Sequence, residues 1–310
     1  MKRRDFIKTS VAASAALTLN FDGLQAALKS NNMIVEQIPD MVAVMGGEPA
    51  TMLDKALEEL GGIGKFIKKG QKVVIKPNIG WDRKPELAAN TNPELVKALV
   101  KKCLEAGAEK VTVFDQTCDN WQKCYDNSGI AAAAKEAGAI VMPANEEKYF
   151  KEVSIPKGVV LKKAKIHEAL IEADAWINLP VLKNHGGAKL SCAMKNYMGI
   201  VWDRRFFHSN DLQQCIADIC TWEKKPVLNI VDAYRIMHQN GPQGKSAADV
   251  ATVKSLIASP NIVAVDTAAL GMFNQVKKLD IEAVGHLAKG EALNLGSTDL
   301  KKVNIKRVKI

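Results

Sequence analysis

Short apolar runs alternate with amphipathic stretches along most of the chain. The β-rich apolar runs predict strands at 41–45, 72–75, 110–114, 140–142, 175–179 and 227–231. Apolar residues at helical spacing predict helices at 49–67, 93–105, 129–137, 188–199, 210–222 and 260–273. Strands separated by helices of this length are typical of an α/β fold, with a parallel or mixed central sheet and helices on both faces.

Two segments refine this pattern. Asn92-Pro93 supplies a capping side chain and a proline at the first helical position, so it predicts a helix start. Segment 143–165 instead holds short β-like pieces and turns, which predict a small inserted β-ribbon.

The N-terminus follows a different pattern. Lys2-Arg3-Arg4-Asp5-Phe6-Ile7-Lys8 is basic and contains paired arginines, a moderately apolar run follows at 11–19, and Ala26-Ala27 offers a cleavage site. This order predicts a twin-arginine signal peptide at 1–26, followed by a single α/β domain at 27–310. The alternative is a basic amphipathic helix. We expect export by the twin-arginine translocase to the periplasm, and no transmembrane segment in the mature chain, since no later run approaches ~20 apolar residues.

Charge narrows the choice of partner. The chain has 43 Lys and Arg against 34 Asp and Glu, a formal charge of +9. Many lysines form scattered pairs such as Lys68-Lys69 and Lys162-Lys163, which indicates a solvated surface and not a nucleic-acid stripe. A positive surface suits a small anionic ligand or an acidic protein.

The cysteines exclude some cofactor classes and predict one bond. None of the six cysteines forms a Cys-x-x-Cys pair, so an iron–sulfur cluster or zinc ribbon has no support. Cys118 and Cys124 flank a short loop, and in an oxidising compartment this spacing predicts a local disulfide.

Polar residues follow several predicted strands. The residues at these ends are Lys76, Asn78, Asp115, Lys183, His185 and Asp232. Because ligands of open α/β sheets bind outside the carboxyl ends of the strands, we expect these side chains to form a cleft. Taken singly, Asp115 and Asp232 are also interpreted as turn caps, and a histidine such as His185 is more often a loop residue than a ligand.

Later segments add further candidates. Lys195 and Asn196 lie on one face of the predicted helix 188–199, and His208 lies in a loop rich in aromatic residues. Asp266 shares its helix face with apolar residues, so its carboxylate must be buried and needs a lysine or backbone amides as partner.

Five ordered motifs carry a family resemblance. They are Lys76-Pro77-Asn78, the segment from Asn178-Leu179-Pro180 to Lys183-Asn184-His185, Ala193-Met194-Lys195-Asn196-Tyr197-Met198-Gly199, Asn240-Gly241-Pro242-x-Gly244, and Val263-Ala264-Val265-Asp266. Over residues 70–275 the chain resembles the bacterial and archaeal family catalogued as domain of unknown function 362. Segment 117–130 resembles the branch with twin-arginine leaders, and the chain lacks the ferredoxin-like module of some relatives. The resemblance names no reaction.

We therefore expect an enzyme, or a cofactor- or metal-dependent protein, that binds a small anion in a strand-end cleft. Catalytic roles fall to Lys76, Lys183, His185 and Lys195, and ligand contacts to Asn78, Asp115, Asn196, Asp232 and Asp266. The cofactor is unknown. A divalent metal would be held by His185 and His208. The alternative hypothesis is a non-catalytic periplasmic binding or assembly protein serving a redox complex.

Overall fold

The computed structural model of the chain describes residues 38–310, and the predicted signal peptide lies outside this range. The strands of these residues are β1 (Met41–Met45), β2 (Lys72–Pro77), β3 (Lys110–Val113), β4 (Ile140–Val141), β5 (Phe150–Ser154), β6 (Lys163–His167), β7 (Ala175–Leu179), β8 (Val181–His185), β9 (Lys189–Ser191), β10 (Leu228–Met237), β11 (Val250–Ser259) and β12 (Ile305–Lys309). The α-helices are α1 (Pro49–Glu59), α2 (Pro93–Glu105), α3 (Trp121–Asn127), α4 (Ile130–Glu136), α5 (Glu168–Glu172), α6 (Ala193–Asn196), α7 (Arg205–Ser209), α8 (Leu212–Ile219), α9 (Ile262–Phe273) and α10 (Gly285–Ala292).

A mixed sheet forms the centre of the fold, as the alternation of elements predicts. Its main path runs β12-β1-β11-β10-β7-β2-β3-β4, and β8 pairs with β10 and β9 beside that path. Strands β10, β7, β2, β3 and β4 are mutually parallel, whereas β11 is antiparallel to both of its neighbours. The parallel strands therefore bring their carboxyl ends to one edge.

Apolar cores lie on both faces of the sheet. In β2 the side chains of Val73 and Ile75 join one core, and Val74 between them joins the other. Since successive side chains of a strand point to opposite faces, a continuous apolar run is what a strand covered on both sides requires. The core that contains Val73 and Ile75 includes side chains of α1, α2 and α4, and the core that contains Val74 includes side chains of α8, α9 and α10.

An antiparallel ribbon of β5 and β6 lies outside the main sheet, in register from Phe150↔His167 to Ser154↔Lys163. An isolated bridge joins Ile166 of the ribbon to Val201. The ribbon therefore reaches the segment between α6 and α7, which belongs to the site described below.

Several predicted boundaries were wrong, most of all the helix at 188–199. In its place β8 turns through Gly186-Gly187 into β9, and only Ala193–Asn196 is α-helical, followed by a 3₁₀ turn at Tyr197–Ile200. Two glycines between strands are a hairpin signal that the apolar spacing concealed. Helix α1 ends at Glu59 instead of 67, and β10 runs on to Met237 instead of ending at 231. Among residues 38–310, no helix is long and apolar enough to cross a membrane.

Candidate functional site

A buried ion pair lies at the carboxyl ends of β2 and β3. Lys76 Nζ is 2.8 Å from Asp115 Oδ1, and both side chains are buried. Asp115 Oδ2 accepts a hydrogen bond of 2.6 Å from the Ile79 N–H, which fixes the loop after β2. Burial lowers the pKa of Lys76, and the carboxylate of Asp115 opposes that shift. Neither charge is tolerable there without the other.

Asn196 connects this pair to the rest of the site. Its Oδ1 accepts a 2.6 Å hydrogen bond from Lys76 Nζ, and its Nδ2 donates to Asn178 Oδ1 at 2.8 Å. Asn178 Nδ2 in turn donates to Asn229 Oδ1 at 3.0 Å. This chain of buried amides fixes helix α6, which carries Asn196, over the strand ends. Sequence reasoning missed Asn178 and Asn229, whose signal is a polar residue inside an apolar strand.

Lys183 enters the site from β8 and is fully buried. Its ammonium donates to Asn78 Oδ1 at 2.9 Å and to the Ala89 carbonyl. Burial, with the charges of Lys195 and Lys76, lowers the pKa of Lys183 to about 7, against the opposing effect of Cys118 and Asp115. Both protonation states of this amine are therefore populated near neutral pH.

Lys195 differs from Lys76 and Lys183 because its ammonium has no hydrogen-bond partner among the described residues. Within residues 38–310, no hydrogen bond or ion pair holds its ammonium, which lines the cavity half-buried. Burial lowers its pKa to about 8, helped by the charges of Arg204 and Lys76. An unpaired, partly desolvated ammonium is suited to an anionic group of a ligand.

His185 is neutral and lies near the ammonium groups of Lys195 and Lys183. Its Nδ1 accepts a hydrogen bond of 3.1 Å from the Ala188 N–H, so the proton of the neutral ring is on Nε2. Burial, followed by the charges of Lys195 and Lys183, lowers its pKa to about 2. The ring thus offers an N–H donor to the cavity.

His208 is exposed on α7 and lines the same cavity. Burial of its ring, with the charges of Lys195 and Arg204, lowers its pKa. No group of three His, Cys, Asp or Glu side chains within the described part of the chain is arranged to hold a metal ion. The two histidines predicted to bind metal instead lie among lysines and an arginine, surroundings that disfavour a cation.

Arg204 lines the same cavity. Its guanidinium donates to the Gln116 carbonyl at 3.1 Å and to the Thr117 carbonyl, and Nη1 is 3.1 Å from Cys118 Sγ. Gln116 Nε2 donates to the Trp202 carbonyl at 3.0 Å. Sequence reasoning had missed Arg204 and Gln116, because each lies in a loop without periodicity.

These walls enclose a cavity of about 1240 Å³. Of the predicted site residues, the lining contains Asn78, Asp115, Lys183, His185, Lys195, Asn196 and His208. Lys76 does not line the cavity, but it contacts Asp115 and Asn196, which do. The ribbon forms the outer wall with Lys163 and Lys165, which pair with Glu152 and Glu147.

Two predicted acids lie elsewhere. Asp232 is inside β10 and accepts the N–H groups of Asn92 and Tyr234, so its carboxylate is taken up by backbone amides. Asp266 on α9 accepts the N–H groups of Ala193 and Met194 at 2.7 and 2.9 Å. Asp266 therefore has the backbone partner that the sequence required, and caps α6. Burial raises the pKa of each carboxyl to about 6.

The predicted disulfide between Cys118 and Cys124 is not present, because both thiols are free. Cys118 is exposed in the cavity wall, whereas Cys124 is buried on α3, where its thiol is held near Asp119 and Thr117. The two sulfur atoms therefore lie in different surroundings, one exposed in the cavity wall and one buried on α3.

A family model described as "Domain of unknown function (DUF362)" matches residues 73–271, which include all the strand-end residues above. The chain belongs to this family. A thylakoid-associated protein of Synechocystis sp. is 26% identical over 260 residues, 81% of this chain and 77% of that protein. The lactate racemase apoprotein from Thermoanaerobacterium thermosaccharolyticum aligns with a TM-score of 0.41 and 13% identity, over 69% of this chain and about half (53%) of that one.

Proposed function

We propose that this member of the DUF362 family is an enzyme, or a cofactor-dependent protein, that binds a small anionic ligand in the strand-end cavity. One observation carries the proposal: the ammonium of Lys195 faces the cavity without a partner in residues 38–310. The carboxylates around it are already engaged. Asp115, Glu147 and Glu152 pair with lysines, and Asp203 accepts the Arg205 N–H. The uncompensated charge of the cavity is therefore positive.

Three groups would hold the anion. Lys195 supplies the free charge, Arg204 a guanidinium and His185 a neutral N–H donor. Lys183 would carry a proton, because its pKa of about 7 allows both protonation states at neutral pH. We assign His185 to the anion, and neither His185 nor His208 to a divalent metal, because the positive charge of Lys195 acts on both rings and would repel a metal cation.

The alternative of a binding or assembly protein expects scattered side chains that pair off without a cavity. A continuous hydrogen-bond path, from Lys183 through Asn78 and Asn196 to Lys76, argues against scattering. The proposed export by the twin-arginine route is compatible with both hypotheses.

Calorimetric titration with sulfate and with succinate tests the proposal. Wild-type protein and Lys277→Met, which removes an exposed lysine, should bind either anion equally well. Lys195→Met should weaken binding by about tenfold or more, the effect of removing one partly buried charge. Equal affinity in all three proteins would contradict the site. Mass analysis of small molecules that co-purify with the full chain would then identify the natural ligand.

A further inference from the structure

Cys118 is the one exposed cysteine of the protein. The sequence has six cysteines, all within the described residues, and the other five are buried. Its sulfur is 3.1 Å from Arg204 Nη1, and Cys118 lines the same cavity as Lys183 and Lys195. A thiol that is exposed inside an electropositive cavity is placed for reaction, unlike a buried structural cysteine.

A second group of the same wall requires a partner. Gln116 lines the cavity with only 8% of its surface exposed, and its Oε1 is buried without any hydrogen-bond donor among residues 38–310. A buried amide oxygen without a donor is costly. The donor it lacks is an N–H or O–H group; because Oε1 itself is covered, a ligand in the cavity would supply that donor once the Gln116 amide turns outward.

The wall thus combines three kinds of recognition. Lys195 and Arg204 suit carboxylates, Gln116 Oε1 suits an N–H donor, and the exposed thiol of Cys118 suits a sulfur electrophile. A small disulfide of the amino-acid or peptide type carries all three complementary groups. We propose that Cys118 is a thiol-exchange site at which such a carboxylate-bearing disulfide forms a mixed disulfide with the protein. This inference rests on the proposed anion-binding role of the cavity.

The exchange balances without a further oxidant. The Cys118 thiol releases its proton to solvent, and its thiolate attacks one sulfur of the bound disulfide. A bond from Sγ to that sulfur forms while the original S–S bond breaks, and the other sulfur leaves as a thiolate with the electron pair. Cys118 is oxidised and the departing sulfur is reduced. Because Cys124 is buried, no neighbouring thiol resolves the adduct, which lasts until an external thiol attacks it.

Disulfides of different charge test the proposal on the full chain. Glutathione disulfide carries carboxylates and N–H donors, hydroxyethyl disulfide is neutral and cystamine is cationic. Intact-mass measurement of adduct formation should give rates in that descending order for wild-type protein. Cys118→Ser should form no adduct. Lys195→Met should reduce the preference for glutathione disulfide over cystamine by about three- to tenfold, the effect of one nearby charge, whereas Lys277→Met should keep it.

Two results would overturn the inference: cystamine reacting as fast as glutathione disulfide, or adducts that persist in Cys118→Ser. The titrations with sulfate and succinate separate this failure from failure of the proposed function. If those anions bind in a Lys195-dependent manner while the disulfides show no charge preference, the cavity binds anions and Cys118 is not an exchange site. If neither depends on Lys195, both ideas fail. Thermal melting of each variant verifies that it is folded.

Discussion

Gly199 passes directly over the buried ion pair. A Cβ at this position would overlap the Asp115 carboxylate and lie 2.5 Å from Lys76 Nζ. In Gly199→Ala the two charges must separate inside the core, so we expect a loss of about 3 kcal/mol or more in the free energy of unfolding, measured with denaturant.

Gly271→Ala is the matched control. Gly271 lies on the exposed side of α9, and a Cβ there would meet nothing within 4 Å. Replacing glycine by alanine inside a helix should stabilise it, by up to about 1 kcal/mol. Equal effects of the two substitutions would show that the ion pair does not control stability.

From the pKa values of two cavity lysines, we predict that sulfate affinity and protein stability change in opposite directions with pH. Their pKa values lie near 7 for Lys183 and 8 for Lys195, below the ordinary 10.5. As pH rises from about 7 to about 8.5 both lose charge, so sulfate affinity should fall. In the unfolded chain these lysines stay protonated over this pH range. The free energy of unfolding of the anion-free protein should therefore rise as pH rises from about 7 to about 8.5. Calorimetry and denaturant unfolding at matched ionic strength measure both; sulfate affinity that is flat in wild-type protein would contradict the prediction.

At the scale of elements, Asp266 couples one helix to the site. Its carboxylate accepts the first N–H groups of α6, the helix that carries Lys195 and Asn196. Asp266→Asn should destabilise the protein by about 1–3 kcal/mol and also weaken sulfate binding, because α6 loses its fixed position. The measurements are denaturant unfolding and calorimetry.

Asn92→Ala provides the comparison. Asn92 caps α2 by accepting the Glu94 N–H at 3.0 Å, and α2 contributes no residue to the cavity lining. We expect about 1 kcal/mol of lost stability with sulfate affinity unchanged. Should Asp266→Asn also leave affinity unchanged, α6 does not depend on this cap for its position.

The elements also show why the sequence predicts some parts of the site and not others. Lys76 and Asp115 follow strands with continuous apolar runs, so their common edge is predictable from the pattern alone. Arg204 and Gln116 come from loops, where position depends on tertiary contacts instead of periodicity. The helix predicted at 188–199 failed because Leu190, Met194 and Tyr197 are buried at helical spacing although a hairpin precedes α6. The antiparallel pairing of β8 with β9 makes this segment a hairpin and not a helix.

At the scale of the whole molecule, the cavity depends on the complete domain. Its lining comes from the segments after β2 and β3, from β8 and α6, and from the ribbon of β5 and β6, which forms the outer wall. These elements are distant in sequence and meet only when the sheet is assembled. A chain exported after folding would cross the membrane with this cavity already formed, which suits a protein that acquires its ligand before export.

The proposed export yields a final prediction that also bears on Cys118. Changing both Arg3 and Arg4 to lysine keeps the charge of the leader but removes the arginine pair, so the full chain should stay in the cytoplasm. Lys8→Arg also keeps the charge and should be exported. Cell fractionation and intact mass would measure both.

Disulfides persist outside the cytoplasm and are reduced within it, so the mixed disulfide on Cys118 should appear in exported protein alone. Export of the twin-lysine variant at the wild-type level would refute the leader assignment. An adduct on protein retained in the cytoplasm would show that the mixed disulfide on Cys118 does not depend on export.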